Sequence, residues 1–287
     1  MTTVYFNLTL YTVTHMAKFK PKILNGSDLA GFIKARQARQ VQQLPLTPRL
    51  CIVQTKEDPV IDTYVRLKQE YGQDIGIDVE HFMVDQSKVI NVIDELNQNN
   101  DVHGIIVQLP LDDPIETDTV VNTVDANKDV DALTQDTGFT SATATAISWL
   151  LAGYNIELRG QKIAVIGQGR LVGAPLSDLL ESSGLDVVRC DISTNNLAEI
   201  VTSADIVISG TGQPELIKND WVTSETVVVD AGTAGVNGAV VGDLEPAVYD
   251  RNDIKITPKK GGVGPLTVCA LFENVIDATT VFTQEYL

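Results

Sequence analysis

The glycine loop at residues 167–173 is the sequence feature that most constrains the fold. Residues 162–166 are typical of a buried strand, since every residue after Lys162 is apolar, and the residues after the loop, through Leu180, have helical spacing. Glycines between a strand and a helix allow a tight turn and let the backbone approach a phosphate at the start of the helix. The GxGxxxG spacing is one residue longer than the commonest fingerprint of this kind. The loop favours a nucleotide-binding unit, and a glycine turn with a purely steric role is the alternative.

The predicted dinucleotide site consists of this loop and a residue that follows a later strand. Its members are Gly167, Gln168, Gly169, Arg170, Leu171, Val172, Gly173 and Thr211. Further strands are predicted at 187–189, 206–209 and 227–230, with helical pieces between the first of them. A doubly wound α/β unit with these features is a Rossmann domain.

Asp191 bears on the choice of dinucleotide. It ends the strand that follows the glycine loop, 18 residues beyond Gly173. An acidic side chain at this place can accept hydrogen bonds from both adenosine ribose hydroxyls and would repel a 2′-phosphate, which favours NAD over NADP. The alternative is an exposed aspartate at the end of a strand with no ligand.

The first half of the chain also alternates apolar strands with helices. Strands are predicted at 50–53, 79–84 and 104–107, and helices at 27–41, 65–71 and 88–96. This βαβαβ order with short turns indicates a parallel sheet covered by helices. The predicted fold class is therefore α/β with two domains, an N-terminal βαβ catalytic domain and a C-terminal Rossmann domain, with a ligand cleft between them.

The predicted domain organisation has three parts. Residues 1–21 are an N-terminal extension, residues 22–140 with 266–287 form the catalytic domain, and residues 141–265 form the dinucleotide-binding domain. A helix at 142–151 is a candidate connector, and the apolar stretch 266–282 is expected to pack back onto the first domain. The first fifteen residues could add an edge strand, and they lack the basic segment and cleavage site of a signal peptide.

The net charge of the chain limits the kinds of binding partner to expect. The chain has 21 Lys and Arg against 38 Asp and Glu, a formal net charge of −17. Nucleic acid and anionic membranes would be repelled by the average surface, so neither is expected as a partner. An anionic ligand must then be met locally, by backbone N–H groups at a helix start or by a well-placed lysine.

Cysteine and histidine give no sign of a metal site or a disulfide framework. Cys51, Cys190 and Cys269 lie far apart in or beside apolar stretches, without CxxC spacing, so buried free thiols in a reducing compartment are expected. The three histidines are equally scattered, and no metal is predicted. No apolar run approaches the length of a membrane span, which predicts a soluble protein.

Several polar residues of the first domain are candidates for the chemistry. Tyr64 and Lys68 are four apart on a predicted helix and share a face. Partial burial would lower the pKa of such a lysine and suit it to proton transfer, although a solvated lysine is the simpler interpretation. Gln108 follows a buried strand, at the sheet edge where ligand sites form in open α/β folds.

Two further loops are candidates on weaker grounds. Asp129 and Asp131 lie in a short charged segment that would ordinarily be a solvated loop. The run 261–265, Gly-Gly-Val-Gly-Pro, requires either positive φ or a close approach of its backbone to another group. A plain turn before a helix is the alternative.

Taken together, these segments resemble the methylenetetrahydrofolate dehydrogenase/methenyltetrahydrofolate cyclohydrolase (FolD) family over about residues 22–278. The most specific matches, which occur in the family's order, are Tyr64-x-x-x-Lys68, GIIVQLPL at 104–111, KDVD at 128–131, VGAP at 172–175, VGD at 241–243 and GGVGPLTV at 261–268. The resemblance implies a tetrahydrofolate derivative bound in the cleft between the domains.

The resemblance also implies roles for individual residues. Tyr64 would stack on the folate rings, Lys68 would transfer protons, and Gln108 would hold and tune Lys68. Asp131 would bind the pterin edge. The remaining cleft residues would be Gly262, Gly264 and Pro265.

The chain departs from the family pattern on the cofactor side. Gln168-Gly169 stand where the family usually has Arg-Ser, and Asp191-Ile192 stand where it has His-Ser. Arginine and serine are the groups expected to hold a 2′-phosphate, so these changes shift the expected cofactor from NADP to NAD. A nucleotide site that has degenerated altogether would look similar.

Departures occur on the substrate side as well. Lys56 and Ile61 replace a usual glycine and serine, residues 143–146 read TATA in place of Thr-Pro-x-Gly, and Lys260 replaces a proline. These changes leave substrate affinity and the balance of the two reactions open.

The function predicted on this basis is oxidation of 5,10-methylenetetrahydrofolate with NAD(P), NAD preferred, followed by hydrolysis to 10-formyltetrahydrofolate. The alternatives are a cyclohydrolase-only protein and a non-catalytic ligand-binding module. The resemblance also implies a homodimer, a cytoplasmic location and a part in one-carbon metabolism and purine biosynthesis.

Overall fold

The structure, a computed structural model, describes residues 23–236 and 239–286. The N-terminal extension at 1–21 and its predicted edge strand lie outside the described residues. Within them the chain forms two parallel sheets, each covered by helices. The prediction of a two-domain α/β fold with parallel sheets is confirmed.

The first sheet has three parallel strands. They are β1 (Arg49–Gln54), β2 (Asp78–Met83) and β3 (Gly104–Gln108), in the spatial order β2-β1-β3. The helices of this part are α1 (Gly26–Val41), α2 (Pro59–Ile75), α3 (Val89–Gln98) and the short α4 (Thr117–Val121). The register pairs Gln54 with Gln108, so both amides lie at the carboxyl edge of the sheet.

Local signals fix both ends of α2, the helix that carries Tyr64 and Lys68. Asp58 is the N-cap and accepts hydrogen bonds from the backbone N–H groups of Val60 and Ile61. Pro59 occupies the first turn, where its missing N–H costs nothing. Gly76 ends the helix in the left-handed region at φ 85°. These caps hold the helix in place beside the end of β1.

Helix α5 (Ala142–Gly153) leads into the second sheet. This sheet has five parallel strands, β4 (Ile163–Ile166), β5 (Val187–Cys190), β6 (Ile206–Ser209), β7 (Val227–Asp230) and β10 (Lys255–Ile256), in the order β10-β7-β6-β4-β5. An antiparallel hairpin of β8 (Ala234–Val236) and β9 (Ala239–Val241) follows β7. The helices of this part are α6 (Gly173–Ser182), α7 (Leu197–Ser203) and α8 (Pro246–Tyr249).

The last helix, α9 (Val263–Tyr286), packs against α1 and α5 and contacts α2 and β3. The expectation that the C-terminal stretch returns to the first domain is therefore confirmed. One continuous hydrophobic core contains Leu50 and Ile52 of the first sheet, Phe272 of α9, and Val165 and Ile208 of the second sheet. The proposed division at 140/141 and 265/266 stays a prediction, since this core runs across it.

Helix α9 corrects the expectation that no apolar run of the chain approaches the length of a membrane span. Residues Val263–Glu285 are long and apolar enough to cross a membrane by length and composition, with a mean hydropathy of 1.3. More than half of the apolar window, 56%, is buried inside the protein. The apolar composition of α9 is explained by its place between α1 and α5, since a helix with neighbours on several sides is apolar around much of its surface.

Cys51, Cys190 and Cys269 are free and buried, as predicted. Burial raises the pKa of the Cys51 thiol to about 12, and a neighbouring Glu80 carboxylate acts in the same direction. Thiols of this kind are inert at neutral pH. Among residues 23–236 and 239–286, no group of three or more His, Cys, Asp or Glu is arranged to hold a metal ion.

Candidate active site

Lys68 and Gln108 meet at the carboxyl edge of the first sheet. Lys68 lies one turn after Tyr64 on α2, and Gln108 is the last residue of β3. Lys68 Nζ donates a hydrogen bond to Gln108 Oε1 at 2.8 Å. Gln108 Nε2 in turn donates to the carbonyl oxygen of Leu109 at 3.2 Å, which fixes the orientation of the amide. The amide therefore presents its oxygen to the amine.

Two features of the surroundings shift the pKa of the Lys68 amine in opposite directions. Burial lowers its pKa because an ammonium loses hydration there, and the negative charge of Asp131 raises it. Burial likewise raises the pKa of the Asp131 carboxyl, and the positive charge of Lys68 lowers it. The two groups are electrostatic partners. A buried amine beside an amide oxygen and a carboxylate is suited to moving a proton.

The charged residues of the KDVD segment at 128–131 each make different interactions. The backbone N–H of Ile105 donates to the Lys128 carbonyl at 2.7 Å, so the segment runs beside β3. Lys128 Nζ donates to three carbonyl oxygens near the end of α3, those of Leu96, Asn97 and Asn99. Asp129 accepts from the backbone N–H of Thr134 at 2.8 Å. Of the charged residues in the segment, Asp131 is the one that acts on Lys68.

The buried side chain of Gln54 forms a polar network at the start of α2, which the sequence had not led us to predict. Its Nε2 donates to Asp62 Oδ1 at 2.9 Å and to the Lys56 carbonyl at 2.7 Å, and its Oε1 lies 2.9 Å from His81 Nε2. The network ties the first turn of α2 to the end of β1. The signal was present, because Gln54 is a polar residue that directly continues the apolar run 50–53.

The loop at 261–265 lies against the start of α1. Gly261 has φ 80°, and its carbonyl accepts from the backbone N–H of Ser27 at 3.0 Å. A Cβ on Gly26 would lie 1.9 Å from the carbonyl oxygen of Gly262. The expectation of positive φ or close approach is confirmed. Pro265 is half-buried in the first turn of α9, and Gly264 is exposed with open space around it.

The glycine loop at 167–173 is shaped for close approach by a phosphate. Gly167 has φ 89°, and a Cβ on Gly173 would lie 1.6 Å from the carbonyl oxygen of Gly167. No heavy atom lies within 4 Å of the position that a Cβ on Gly169 would take. The loop ends at the N-terminus of α6, where unpaired N–H groups favour an anion. These residues fit a dinucleotide pyrophosphate.

The side chains of Gln168 and Arg170, both in this loop, contact different parts of the protein. Gln168 turns into the protein, where its Nε2 donates to the Val165 carbonyl at 3.0 Å and its Oε1 accepts from Ser177 Oγ at 3.3 Å. Arg170 forms an ion pair with Asp118 of α4. Asp118 had not been identified from the sequence, since a pair separated by 52 residues leaves no local pattern.

The Leu171 carbonyl accepts a hydrogen bond from Ser141 Oγ, at the N-cap of α5, at 3.2 Å. Val172 lies against Gly210, and Thr211 lies against Gly167. A Cβ on Gly210 would lie 2.7 Å from Val172 Cγ1, and one on Gly167 would lie 2.9 Å from Thr211 Cγ2. The loop after β6 is thus wedged against the glycine loop.

Asp191 lies beside the glycine loop, because Gly167 N donates to the Cys190 carbonyl at 2.8 Å. Its Oδ1 accepts from the backbone N–H and the hydroxyl of Ser193 and from Thr194 Oγ1, at 2.9, 2.7 and 3.2 Å. The hydrogen bonds from Ser193 lower the pKa of the Asp191 carboxyl. All three bonds use Oδ1. The side chain is exposed, ionised and held in one orientation.

This fold and these residues define an α/β protein with a Rossmann-type dinucleotide-binding unit and a second unit that carries a lysine–amide pair. Comparison of the chain with known protein families identifies the class of protein more narrowly. Residues 24–131 match the catalytic domain of tetrahydrofolate dehydrogenase/cyclohydrolase, and residues 141–283 match its NAD(P)-binding domain. The chain belongs to the tetrahydrofolate dehydrogenase/cyclohydrolase family. The resemblance inferred from the sequence is confirmed.

Individual relatives cover most of the chain. The bifunctional protein FolD of Lactobacillus acidophilus is 37% identical over 90% of this chain and 97% of its own length. The crystal structure of the FolD enzyme of Campylobacter jejuni superposes with a TM-score of 0.84 at 30% identity, covering 90% of this chain and 98% of that one. The Trypanosoma brucei FolD structure, in complex with NADP and an inhibitor, gives 0.83 at 28% identity, covering 90% and 97%.

Proposed function

We propose that this protein oxidises 5,10-methylenetetrahydrofolate to 5,10-methenyltetrahydrofolate with a nicotinamide dinucleotide and hydrolyses the product to 10-formyltetrahydrofolate. The observation that carries the proposal is the hydrogen bond of 2.8 Å between Lys68 and Gln108, with Asp131 acting electrostatically on the same amine. Membership of the family supports both reactions. We further propose that Tyr64 lies against the folate rings and that Gly262, Gly264 and Pro265 line the same cleft.

The first reaction removes a hydride from the methylene carbon that bridges N5 and N10 of the folate. A bound dinucleotide supplies the acceptor for that hydride. The chain's own residues orient the two partners, with the glycine loop at 167–173 holding the pyrophosphate and Asp131 holding the pterin edge. No protein group needs to form a covalent bond with the substrate.

The second reaction adds water to the methenyl carbon. One proton leaves the water as its oxygen bonds to that carbon, a proton reaches a ring nitrogen as the carbon–nitrogen bond breaks, and one proton is released overall. Lys68 is placed to take and return these protons, because burial favours its neutral amine. Gln108 accepts a hydrogen bond from that amine and keeps it directed at the substrate.

NAD is the proposed preferred dinucleotide. Asp191 Oδ1 accepts hydrogen bonds from Ser193 and Thr194, whereas Oδ2 has no hydrogen bond among the described residues and the residue is exposed. An ionised carboxylate held this way can accept from the ribose hydroxyls and repel a 2′-phosphate. The T. brucei relative was solved with NADP, so the preference depends on residues specific to this chain.

Initial rates of methylenetetrahydrofolate oxidation with NAD and with NADP test this proposal. We expect kcat/KM to be higher with NAD, and Asp191→Ser to reduce or reverse the ratio. The matched control is Asp186→Ser, which removes an exposed carboxylate at the amino end of the same strand. A higher rate with NADP in the unaltered protein would contradict the role of Asp191. No oxidation with either dinucleotide, alongside hydrolysis of methenyltetrahydrofolate, would indicate a cyclohydrolase-only protein.

Substitution of Lys68 tests the catalytic assignment. Lys68→Met keeps the length of the side chain and removes the amine, and we expect loss of hydrolysis by at least about a hundredfold, the usual contribution of a general acid–base group. Arg66→Gln is the control, since Arg66 lies on the same helix in an exposed ion pair with Glu70. Unchanged rates in Lys68→Met would contradict the role of Lys68, and the absence of both activities in the unaltered protein would favour a non-catalytic binding module.

The proposal also includes a homodimer, a cytoplasmic location and a part in one-carbon metabolism and purine biosynthesis. These properties are expected from the family. Light scattering of the purified protein tests the first of them, and a monomer at micromolar concentration would contradict it.

A further inference from the structure

Asp243 is a fully buried carboxylate that the proposed chemistry does not use. Its Oδ2 accepts hydrogen bonds from Ser209 Oγ at 2.6 Å and from the backbone N–H of Thr211 at 2.7 Å. Its Oδ1 has no hydrogen-bond partner among the described residues, and a Cβ on Gly232 would lie 2.0 Å from it. The carboxylate thus joins the loop after β6 to the loop after β7.

Asp230 fixes the orientation of Asp243. The Asp230 carboxylate accepts from the backbone N–H of Asp243 at 3.0 Å, from that of Gly232 at 2.9 Å and from the Tyr249 hydroxyl. A Cβ on Gly242 would lie 2.0 Å from Asp230 Oδ2, so only glycine fits beside it. Burial raises the pKa of the Asp230 carboxyl, and the negative charge of Asp243 acts in the same direction. Placing two acids together inside a protein is costly, and the three donors offset that cost.

The bond to Thr211 links Asp243 to the nucleotide loop. Thr211 Cγ2 and the Gly210 carbonyl oxygen each lie 2.9 Å from the position that a Cβ on Gly167 would take. The loop after β6 therefore sets the position of the turn at Gly167. If the Thr211 N–H lost its acceptor, the loop would move to recover a partner, and the glycine loop would lose its support.

We propose that Asp243 is a positioning residue for the dinucleotide, which holds the loops after β6 and β7 in the conformation that receives the cofactor. This inference rests on the proposed function, because it assigns Asp243 to one of two activities. The partners of Asp243 belong to the second sheet and its loops, whereas Lys68 and Gln108 lie at the edge of the first. Loss of Asp243 should therefore impair oxidation and spare hydrolysis.

The test compares Asp243→Ala, Asp243→Asn and Ser209→Ala in the full chain. We expect Asp243→Ala to raise KM and the calorimetric Kd for the preferred dinucleotide by at least about tenfold, because a buried N–H is left without an acceptor. Hydrolysis of methenyltetrahydrofolate should stay within about twofold, since its groups are untouched. Asp243→Asn keeps one acceptor oxygen and should partly restore binding. Ser209→Ala removes one of the two bonds and should raise Kd by roughly two- to fivefold.

Asp205→Ala is the matched control. Asp205 Oδ2 accepts from the backbone N–H of Lys162 at 2.8 Å, next to the other end of β6. The substitution removes a similar bond far from the loops, so dinucleotide Kd should not change. Should it rise as much as in Asp243→Ala, a general loss of stability would explain both effects and the inference would be overturned.

Two results would overturn the inference directly. One is an unchanged dinucleotide Kd in both Asp243→Ala and Ser209→Ala. The other is a parallel fall of oxidation and hydrolysis in Ser209→Ala, which decides the matter if Asp243→Ala does not fold. Failure of the proposed function is recognised separately, because the unaltered protein would then bind a dinucleotide without oxidising methylenetetrahydrofolate.

Discussion

The Lys68 amine is placed where burial and a carboxylate pull its pKa in opposite directions. Burial is the larger effect, so the neutral amine is available at lower pH than for a solvated lysine, whose pKa is about 10.4. Gln108 adds an acceptor without adding charge. The result is a base whose strength depends on the ionisation of Asp131.

This balance predicts a shift in the pH profile of Asp131→Asn. Asp131 raises the pKa of Lys68, so its removal should lower that pKa further and move the acid limb of log kcat/KM for hydrolysis, on which activity is lost as Lys68 becomes protonated, to lower pH. The position of the limb is the readout, because substrate affinity also changes the height of the curve. Asp129→Asn is the control. A shift toward alkaline pH in Asp131→Asn would contradict the assignment.

The packing of the glycine loop predicts different effects of alanine at Gly173 and at Gly169. Gly173→Ala would place a methyl 1.6 Å from the Gly167 carbonyl oxygen, whereas Gly169→Ala meets nothing within 4 Å. We expect the first to lower the free energy of unfolding by about 3 kcal/mol or more, as in severe overpacking, and the second by less than about 1 kcal/mol. Urea denaturation measures both. Equal stability of the two variants would show that the loop is not packed as described.

The end of α3 depends on a lysine from a distant segment. Lys128 Nζ donates to the carbonyl oxygens of Leu96, Asn97 and Asn99. Lys128→Met should lower the free energy of unfolding by about 1 to 2 kcal/mol, since it leaves helix-end carbonyls without a cation. Lys88→Met, which removes an exposed ion pair with Asp85, should cost less than about 0.5 kcal/mol. The two denaturation midpoints in urea check this difference.

Elements with a continuous apolar run were predicted closely from the sequence. The strands expected at 206–209 and 227–230 are β6 and β7 with unchanged bounds, because buried parallel strands are apolar on both faces. The two residues of β10 and the short hairpin of β8 and β9 were missed, since so few residues carry no periodic signal.

The candidate site was predictable where a local pattern or the family resemblance marked it. Tyr64 and Lys68 share a helix, and Gln108 ends a strand, so their places followed from the elements. The partners of Asp243 and the pairing of Arg170 with Asp118 depend on contacts between distant segments, which a single sequence does not encode locally. The inward turn of Gln168 was missed for the same reason.

An ion pair at the nucleotide loop joins the two halves of the molecule. Arg170 is the only basic residue at 167–173, and it pairs with Asp118, which belongs to the first half. Both side chains are exposed, at 41% and 77%, so the pair itself adds little stability. A pyrophosphate entering the loop would compete with Asp118 for the guanidinium.

This competition predicts that substitutions of Arg170 and of Asp118 change the dinucleotide KM in opposite directions. Arg170→Ala should raise the dinucleotide KM by about tenfold, because it removes a charge-assisted bond. Asp118→Asn should lower KM by about twofold, since exposed pairs hold their members weakly. Steady-state kinetics measure both. A rise in KM in Asp118→Asn would show instead that the ion pair supports the binding-competent loop.

The packing of α9 between α1 and α5 has a consequence for synthesis of the chain. Gln37 donates to the Cys269 carbonyl at 2.8 Å and Arg36 pairs with Glu273, so the first helix is completed by the last. A growing polypeptide on the ribosome therefore leaves the first helix and the first sheet without their α9 contacts until α9 has been synthesised, although early segments usually fold first. Ribosome-bound chains that stop at Gly262 should be cleaved readily by protease within 23–131, and a burst of protection should accompany emergence of α9.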